Sequence, residues 1–214
     1  MIPRVVVVAA VLAVTGVPLA AQAPVVSRDV AVPPGYGSLR QDDIQLTLRT
    51  PTLEIRFLPL DPRTGNLLAN DAYTSFRKLL LDNRARIDEV ARSKGISQPG
   101  VVYVSFFGLA PGASFDAEVL AIVVRNRLLR PLGIVPYSPG FLEQRLDARQ
   151  SKSAFYLYEE AVPVLEPFQL QYQNQYSAEW DPKLSRINGE RQRVALRAAK
   201  AGAMDSTVKP AGAP

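Results

Sequence analysis

Short apolar stretches, each ended by proline or glycine, run through most of this 214-residue chain, which holds 18 Pro and 13 Gly. In several of them apolar and polar residues alternate, as in residues 44–48 and 168–172. Alternation with a period of two is typical of a strand with one buried face, and proline and glycine mark turns between strands. The chain is therefore predicted to consist mainly of β-structure.

The strand pattern predicts a fold of two packed sheets. Strands are predicted at residues 44–48, 53–57, 101–107, 117–124, 141–146, 154–158 and 168–172. Residues 128–139 are broken by proline and glycine, so a loop or a short edge strand is predicted there. Chains rich in strands without regular alternation of strand and helix typically form sandwiches. We predict an immunoglobulin-like β-sandwich of about seven strands, with an α+β sheet carrying a helix on one face as the alternative.

One segment has the spacing of a helix. Asn70 or Asp71 can cap its start, and Gly95 ends the pattern. Charged residues fill most positions outside its apolar stripe, which is typical of a helix lying on a core. We predict one long amphipathic helix near residues 71–94. The stripe consists of Tyr73, Phe76, Leu80, Ile87 and Val90.

The first 23 residues have the three-part pattern of a secretory signal peptide. Arg4 precedes an apolar run, and Ala21 and Ala23 have the small-x-small spacing of a cleavage site. We expect cleavage after Ala21 or Ala23, with an uncleaved membrane anchor as the alternative. The absence of Cys excludes a lipoprotein. The mature protein is expected to be exported to the periplasm or secreted, and to have no transmembrane span after cleavage.

The chain contains neither His nor Cys. Their absence excludes disulfides, thiolate nucleophiles, imidazole bases and the usual zinc and iron–sulfur ligands. No calcium loop or glycine-rich phosphate loop is present either. The sequence therefore predicts no catalytic residues, no metal site and no cofactor.

Two acidic doublets, Asp42-Asp43 and Glu159-Glu160, are the remaining candidates for acid–base chemistry. Neighbouring residues on a strand point to opposite faces, so neither doublet converges on one bond by itself. A carboxylate-dependent hydrolase whose acids converge across the fold is kept as a second alternative function.

A basic segment at residues 183–200 is the main candidate for an interaction surface. It contains six basic residues and a single acidic one, Glu190, and is predicted to be helical. Such a segment could dock on a protein partner or an anionic envelope surface. It could equally be a solvated helix that only covers the core. Nucleic acid is not expected as a partner because the chain is predicted to be exported. The candidate docking residues are Arg186, Arg191, Arg193, Arg197 and Lys200.

An aromatic cluster near the C-terminus suggests a second kind of surface. Exposed tyrosine and tryptophan rings can stack on sugars, so a carbohydrate-binding module is the first alternative function. Rings on neighbouring strands also serve simply to stabilise a sheet. The candidate glycan-binding residues are Tyr156, Tyr158, Tyr172, Tyr176 and Trp180.

These features divide the chain into five parts. The predicted signal peptide (1–23) is followed by an extended lead-in (24–43), a β-sandwich domain (44–182), the basic helical segment (183–200) and a disordered tail (201–214). The composition favours an exported, non-catalytic binding or interaction module.

Overall fold

The computed structural model of the protein describes residues 31–205. Within that range eleven strands form three antiparallel sheets, and a few helices accompany them, so the class is α+β. This agrees with the prediction of a mainly β chain, but an immunoglobulin-like sandwich is not confirmed. The strands are β1 (Leu46–Arg49), β2 (Leu53–Pro59), β3 (Gly100–Gly108), β4 (Ala113–Ser114), β5 (Leu120–Val124), β6 (Arg127–Leu129), β7 (Gly133–Pro136), β8 (Arg145–Leu146), β9 (Ser151–Tyr158), β10 (Gln169–Tyr172) and β11 (Gln175–Ser177).

Two of the sheets enclose the core. The first has the order β1-β2-β3-β9-β7 and the second the order β11-β10-β5-β6, while β4 and β8 form a small third sheet. The ring centroid of Phe57, in the first sheet, lies 6.3 Å from that of Phe168, which directly precedes β10. The ring centroid of Phe106, also in the first sheet, lies 6.1 Å from that of Tyr172 in the second sheet and 4.2 Å from that of Phe115, on which it stacks. The aromatic core therefore lies between the two larger sheets.

Four helices complete the fold: α1 (Pro62–Gly65), α2 (Asn70–Asp82), α3 (Arg84–Ser93) and α4 (Trp180–Asp205). Helix α3 packs on the face of the first sheet that points away from the second. Gly133 and Leu157 are paired in register, and a Cβ built on Gly133 would lie 2.9 Å from Val90 Cγ1 of α3. The first sheet thus has the second sheet on one face and α3 on the other.

The single helix predicted near residues 71–94 is in fact two helices. Asn83 separates them, with backbone angles φ −110° and ψ 2°. Its side-chain Nδ2 donates to the carbonyl of Leu79 at 2.9 Å. Short polar side chains of this kind compete with the helical backbone for hydrogen bonds, which accounts for the break.

Two strand predictions need correction. Residues 141–146 were predicted as a strand but form a 3-10 turn at Phe141–Glu143 followed by the two-residue strand β8. Gly140 and Gln144 flank the turn in left-handed conformation, with φ of 66° and 54°. Residues 117–124 were predicted as one strand, but Ala117–Val119 form a 3-10 turn and the strand begins at Leu120.

The proline-rich residues 128–139 agree with the prediction of a loop or a short edge strand. They contribute to β6 and form all of β7, which lies at an edge of the first sheet.

The body of the fold extends beyond the predicted limits of 44–182. In the predicted lead-in, Val32 and Leu39 are buried, and the Leu39 amide donates to the carbonyl of Leu67 at 3.0 Å. Helix α4 continues to Asp205, so the predicted tail does not begin at residue 201. The predicted signal peptide and residues 206–214 lie outside the described residues. Between residues 31 and 205, no helix has the length and apolar character needed to cross a membrane.

Candidate binding cleft

Four of the five predicted glycan-binding residues are buried. The exposed fraction is 0% for Tyr156 and Trp180 and 1% for Tyr158 and Tyr172, whereas Tyr176 is 59% exposed. The expectation that these rings form one exposed face is therefore wrong. The alternation along β9 correctly placed Tyr156 and Tyr158 on one face, but that face is covered by the second sheet.

The buried tyrosines are not acid–base candidates. Burial raises the pKa of Tyr156 and of Tyr158 far above the ordinary value. Their hydroxyls have no hydrogen-bond partner among the residues that the structure describes. The Tyr172 hydroxyl differs, since it accepts a hydrogen bond from the Asp116 amide at 2.9 Å. Both β9 phenols therefore remain neutral at physiological pH.

The basic residues of α4 mostly pair within the fold. Arg186 Nη1 lies 2.7 Å from Asp43 Oδ1, and Arg193 Nε lies 3.0 Å from Glu190 Oε2. Arg197 Nη1 lies 3.0 Å from the other oxygen of Glu190. The Arg186–Asp43 pair connects α4 to the segment before β1, whereas the other two pairs lie within α4 and compensate Glu190, the one acidic residue of the predicted docking region.

Two other predicted docking residues have contrasting environments. Arg191 is only 4% exposed, so its guanidinium does not belong to an exposed docking surface, and the expectation for this residue is wrong. Lys200 is exposed near the end of α4. The structure therefore does not bring the five residues together as one exposed cationic patch.

The acidic doublets do not form a metal site. Asp43 pairs with Arg186, and Glu160 Oε1 lies 3.1 Å from Arg127 Nη2. Across residues 31–205 no group of three or more acidic side chains is placed to hold a metal ion.

A cleft of about 1400 Å³ lies between the helical layer and one end of the first sheet. Helices α1, α2 and α3, the start of β3 and the turn after β9, residues 159–162, all contribute to its lining. Apolar side chains cover much of its surface, among them Phe76, Leu80, Leu81, Ile87, Ile96 and Val101.

Two glycines shape the walls of the cleft. A Cβ on Gly65 would lie 2.4 Å from the Phe76 ring, so only glycine lets α1 approach α2 this closely. A Cβ on Gly100 would lie 2.2 Å from the carbonyl oxygen of Glu160. The turn after β9 therefore sits directly against the start of β3.

Three of the acidic side chains in the cleft are neutralised by arginines. Arg63 Nη2 lies 2.6 Å from Asp61 Oδ2, and Arg84 Nε lies 2.9 Å from Asp88 Oδ2. Glu160 pairs with Arg127, as described above. Each of these three pairs is neutral overall, so the negative charges of Asp61, Asp88 and Glu160 are compensated.

Three further charged residues line the cleft without an ion pair in the described part of the chain: Arg77, Arg92 and Glu159. Arg92 Nε donates to the backbone carbonyl of Asp88 at 3.2 Å, which does not compensate its charge. Arg77 belongs to α2, Arg92 belongs to α3, and Glu159 directly follows β9.

Sequence reasoning did not identify this cleft. Arg77 and Arg92 looked like the solvated face of one straight helix, and Glu159 like half of an acidic doublet. The break at Asn83 gave a weak local signal, but the approach of residues 159–162 to the helices depends on tertiary packing.

Comparison of the chain with protein-family models, with curated proteins and with solved structures finds no match. The geometry of the cleft is therefore the main observation from which a function can be inferred.

Proposed function

We propose that the protein is an exported, non-catalytic binding module and that its ligand site is the cleft between α1–α3 and the start of β3. The observation that carries this proposal is the cleft itself, with its volume of about 1400 Å³ and its mixed lining. Ligand sites are usually concave and largely apolar, with a few polar groups that orient the ligand.

The size and chemistry of the cleft favour binding over catalysis. Sites for small molecules usually measure about 300–1000 Å³, so this cleft has room for an extended ligand. Its acids Asp61, Asp88 and Glu160 are held in ion pairs, which occupy oxygens that acid–base chemistry would use. Ser97 is the one Ser or Thr of the lining, and it makes no hydrogen bond to a basic or acidic side chain within residues 31–205.

A fluorescent apolar probe tests this proposal. Leu81 lines the cleft and is 55% exposed, whereas Leu142 is 77% exposed and lies outside it. We expect the mature protein to bind the probe, Leu81→Asp to weaken binding, and Leu142→Asp to leave it unchanged. Equal effects of the two substitutions, or no binding by the unmodified protein, would contradict the proposal.

Docking through α4 is a second candidate. The observation that favours it is that Arg186 and Arg193 keep 61% and 58% of their side chains exposed despite their ion pairs. The test is co-sedimentation with vesicles containing phosphatidylglycerol, at low and high salt. The triple variant Arg186→Gln, Arg193→Gln, Lys200→Gln, which spares the buried Arg191, should sediment less at low salt. Unchanged sedimentation would count against docking.

A further inference from the structure

We propose that the cleft binds an amphipathic anion, a molecule with a long apolar body and an acidic head, and that Arg77 and Arg92 hold the head. This inference rests on the proposed function and names the class of ligand for the same site. It follows from how the charges and the apolar side chains of the cleft are arranged.

The charge balance of the cleft favours an anion. Three of its four acids are already paired with arginines, as described above. Among residues 31–205, Arg77 has no carboxylate within ion-pair distance, and Arg92 contacts only the backbone carbonyl of Asp88. Glu159 is the one lining acid without an ion pair there. Two uncompensated cations thus face one uncompensated anion.

The two arginines also have suitable chemistry. A guanidinium group presents a planar fork of N–H donors that matches a carboxylate or a phosphate, and it remains charged at any physiological pH. Glu159, which follows β9, repels an anionic head by its charge. The head is therefore directed toward Arg77 on α2 and Arg92 on α3.

Apolar contact must supply most of the affinity. Leu80 and Leu81 follow Arg77 by three and four residues, so they lie near it on the surface of α2. Tyr73 of α2 and Val101 of β3 also line the cleft and are partly exposed. Burial of an alkyl chain is favourable in proportion to the apolar surface removed from water, whereas two exposed arginines hold a bare anion only weakly.

Calorimetric titration with matched dodecyl compounds tests the inference on the mature protein. The probes are dodecanoate, dodecyl phosphate, dodecyltrimethylammonium and inorganic phosphate, each below any micelle-forming concentration. The two dodecyl anions should bind about tenfold more tightly than the dodecyl cation, and inorganic phosphate should bind much more weakly than dodecyl phosphate. The two anions distinguish a carboxylate head from a phosphate head.

Variants locate the head. The double variant Arg77→Gln, Arg92→Gln should still bind the dodecyl chain, but it should no longer bind the dodecyl anions more tightly than the dodecyl cation. Glu159→Gln should tighten anion binding. The control is the double variant Arg130→Gln, Arg145→Gln, which removes two exposed arginines outside the cleft. It should leave the affinity for every probe unchanged.

The outcomes separate the two proposals. If all dodecyl compounds bind equally, or if the control variant weakens the anions as much as the Arg77/Arg92 variant, the anion inference is overturned while the binding function stands. If inorganic phosphate binds as tightly as dodecyl phosphate, an amphipathic ligand is excluded. If no dodecyl compound binds and Leu81→Asp has no effect, the proposed function itself fails.

Discussion

Glu190 is one of the residues that connect α4 to the segment before β1. It is 1% exposed and accepts hydrogen bonds from the amide and the hydroxyl of Ser38, at 2.9 and 2.8 Å. Burial acts to raise the pKa of Glu190. The hydrogen bonds from Ser38 and Arg197 and the nearby positive charges outweigh burial, so the pKa of Glu190 lies below its ordinary value of 4.5.

This shift predicts a pH dependence of stability. A carboxyl group whose pKa is lower in the folded state stabilises the fold above its unfolded pKa, and the contribution is lost as the pH falls through the folded pKa. Glu190→Gln should therefore lower the free energy of unfolding at neutral pH by about 1–3 kcal/mol. It should also reduce the loss of stability when the pH falls below the ordinary glutamate pKa of 4.5.

Urea denaturation at neutral and acidic pH measures both effects. Glu159→Gln serves as the control because it removes an exposed carboxylate that has no ion pair within residues 31–205. A Glu190→Gln variant as stable as the unmodified protein at neutral pH, with an unchanged loss in acid, would contradict the role assigned to Glu190.

Two glycines give predictions of opposite sign. Gly100→Ala places a Cβ 2.2 Å from a backbone oxygen that cannot rotate away, so it should destabilise the fold by about 1–3 kcal/mol.

Gly189 lies within α4, and the nearest atom to its built Cβ is an Arg193 nitrogen at 3.8 Å. Gly189→Ala should therefore stabilise by about 0.5–1 kcal/mol. The same urea titrations test both, and a stabilising Gly100→Ala would show that the turn at Glu160 can move.

At the scale of elements, two patterns identified the longer strands. Residues 44–48 and 53–57 correspond to β1 and β2, because their apolar residues alternate with the period of the pleat. Residues 101–107 and 154–158 are nearly continuous apolar runs and correspond to β3 and β9. Strands β4 and β11 have only two and three residues, too few for a period to be visible.

The break between α2 and α3 was not predictable from the apolar stripe. Phe76 and Ile87 are both buried on the expected face, yet the helix is interrupted at Asn83 between them. A stripe records which residues face the core and does not record whether the helix is continuous. Residues of both helices line the cleft.

The break itself can be tested by substitution. Asn83→Ala removes the 2.9 Å hydrogen bond to the Leu79 carbonyl and should cost about 1 kcal/mol of stability. Because alanine favours a continuous helix, binding of the apolar probe should weaken as well. Thermal unfolding and probe titration measure the two effects. Lower stability with unchanged probe affinity would show that the shape of the cleft does not depend on Asn83.

At the scale of the molecule, α4 belongs to the main body and is not an appended segment. Its first residue, Trp180, is fully buried and lies 4.9 Å from Phe168 between ring centroids. Ile187 and Val194, which are also buried, continue the contact along the helix. The sequence predicted a helix at residues 183–200, within the basic segment. It did not show that the single tryptophan anchors the helix in the core.

Trp180 therefore reports on folding of the whole domain. Trp180→Phe should destabilise the fold less than Trp180→Ala, which should lower the free energy of unfolding by about 3–5 kcal/mol.

In the unmodified protein the tryptophan emission should shift to longer wavelength in one transition that coincides with loss of β-sheet circular dichroism. If the emission changes well before the circular dichroism, α4 unfolds separately from the sheets.

The most direct test of the central claim is photolabelling of the mature protein with a fatty acid that carries a diazirine on its alkyl chain, followed by mass spectrometry of peptides. The label should be found on α2, on α3 and on residues 96–101, and excess dodecanoate should suppress it. Labelling confined to α4 or to the loop around Leu142, or labelling that dodecanoate does not suppress, would contradict a ligand site in the cleft.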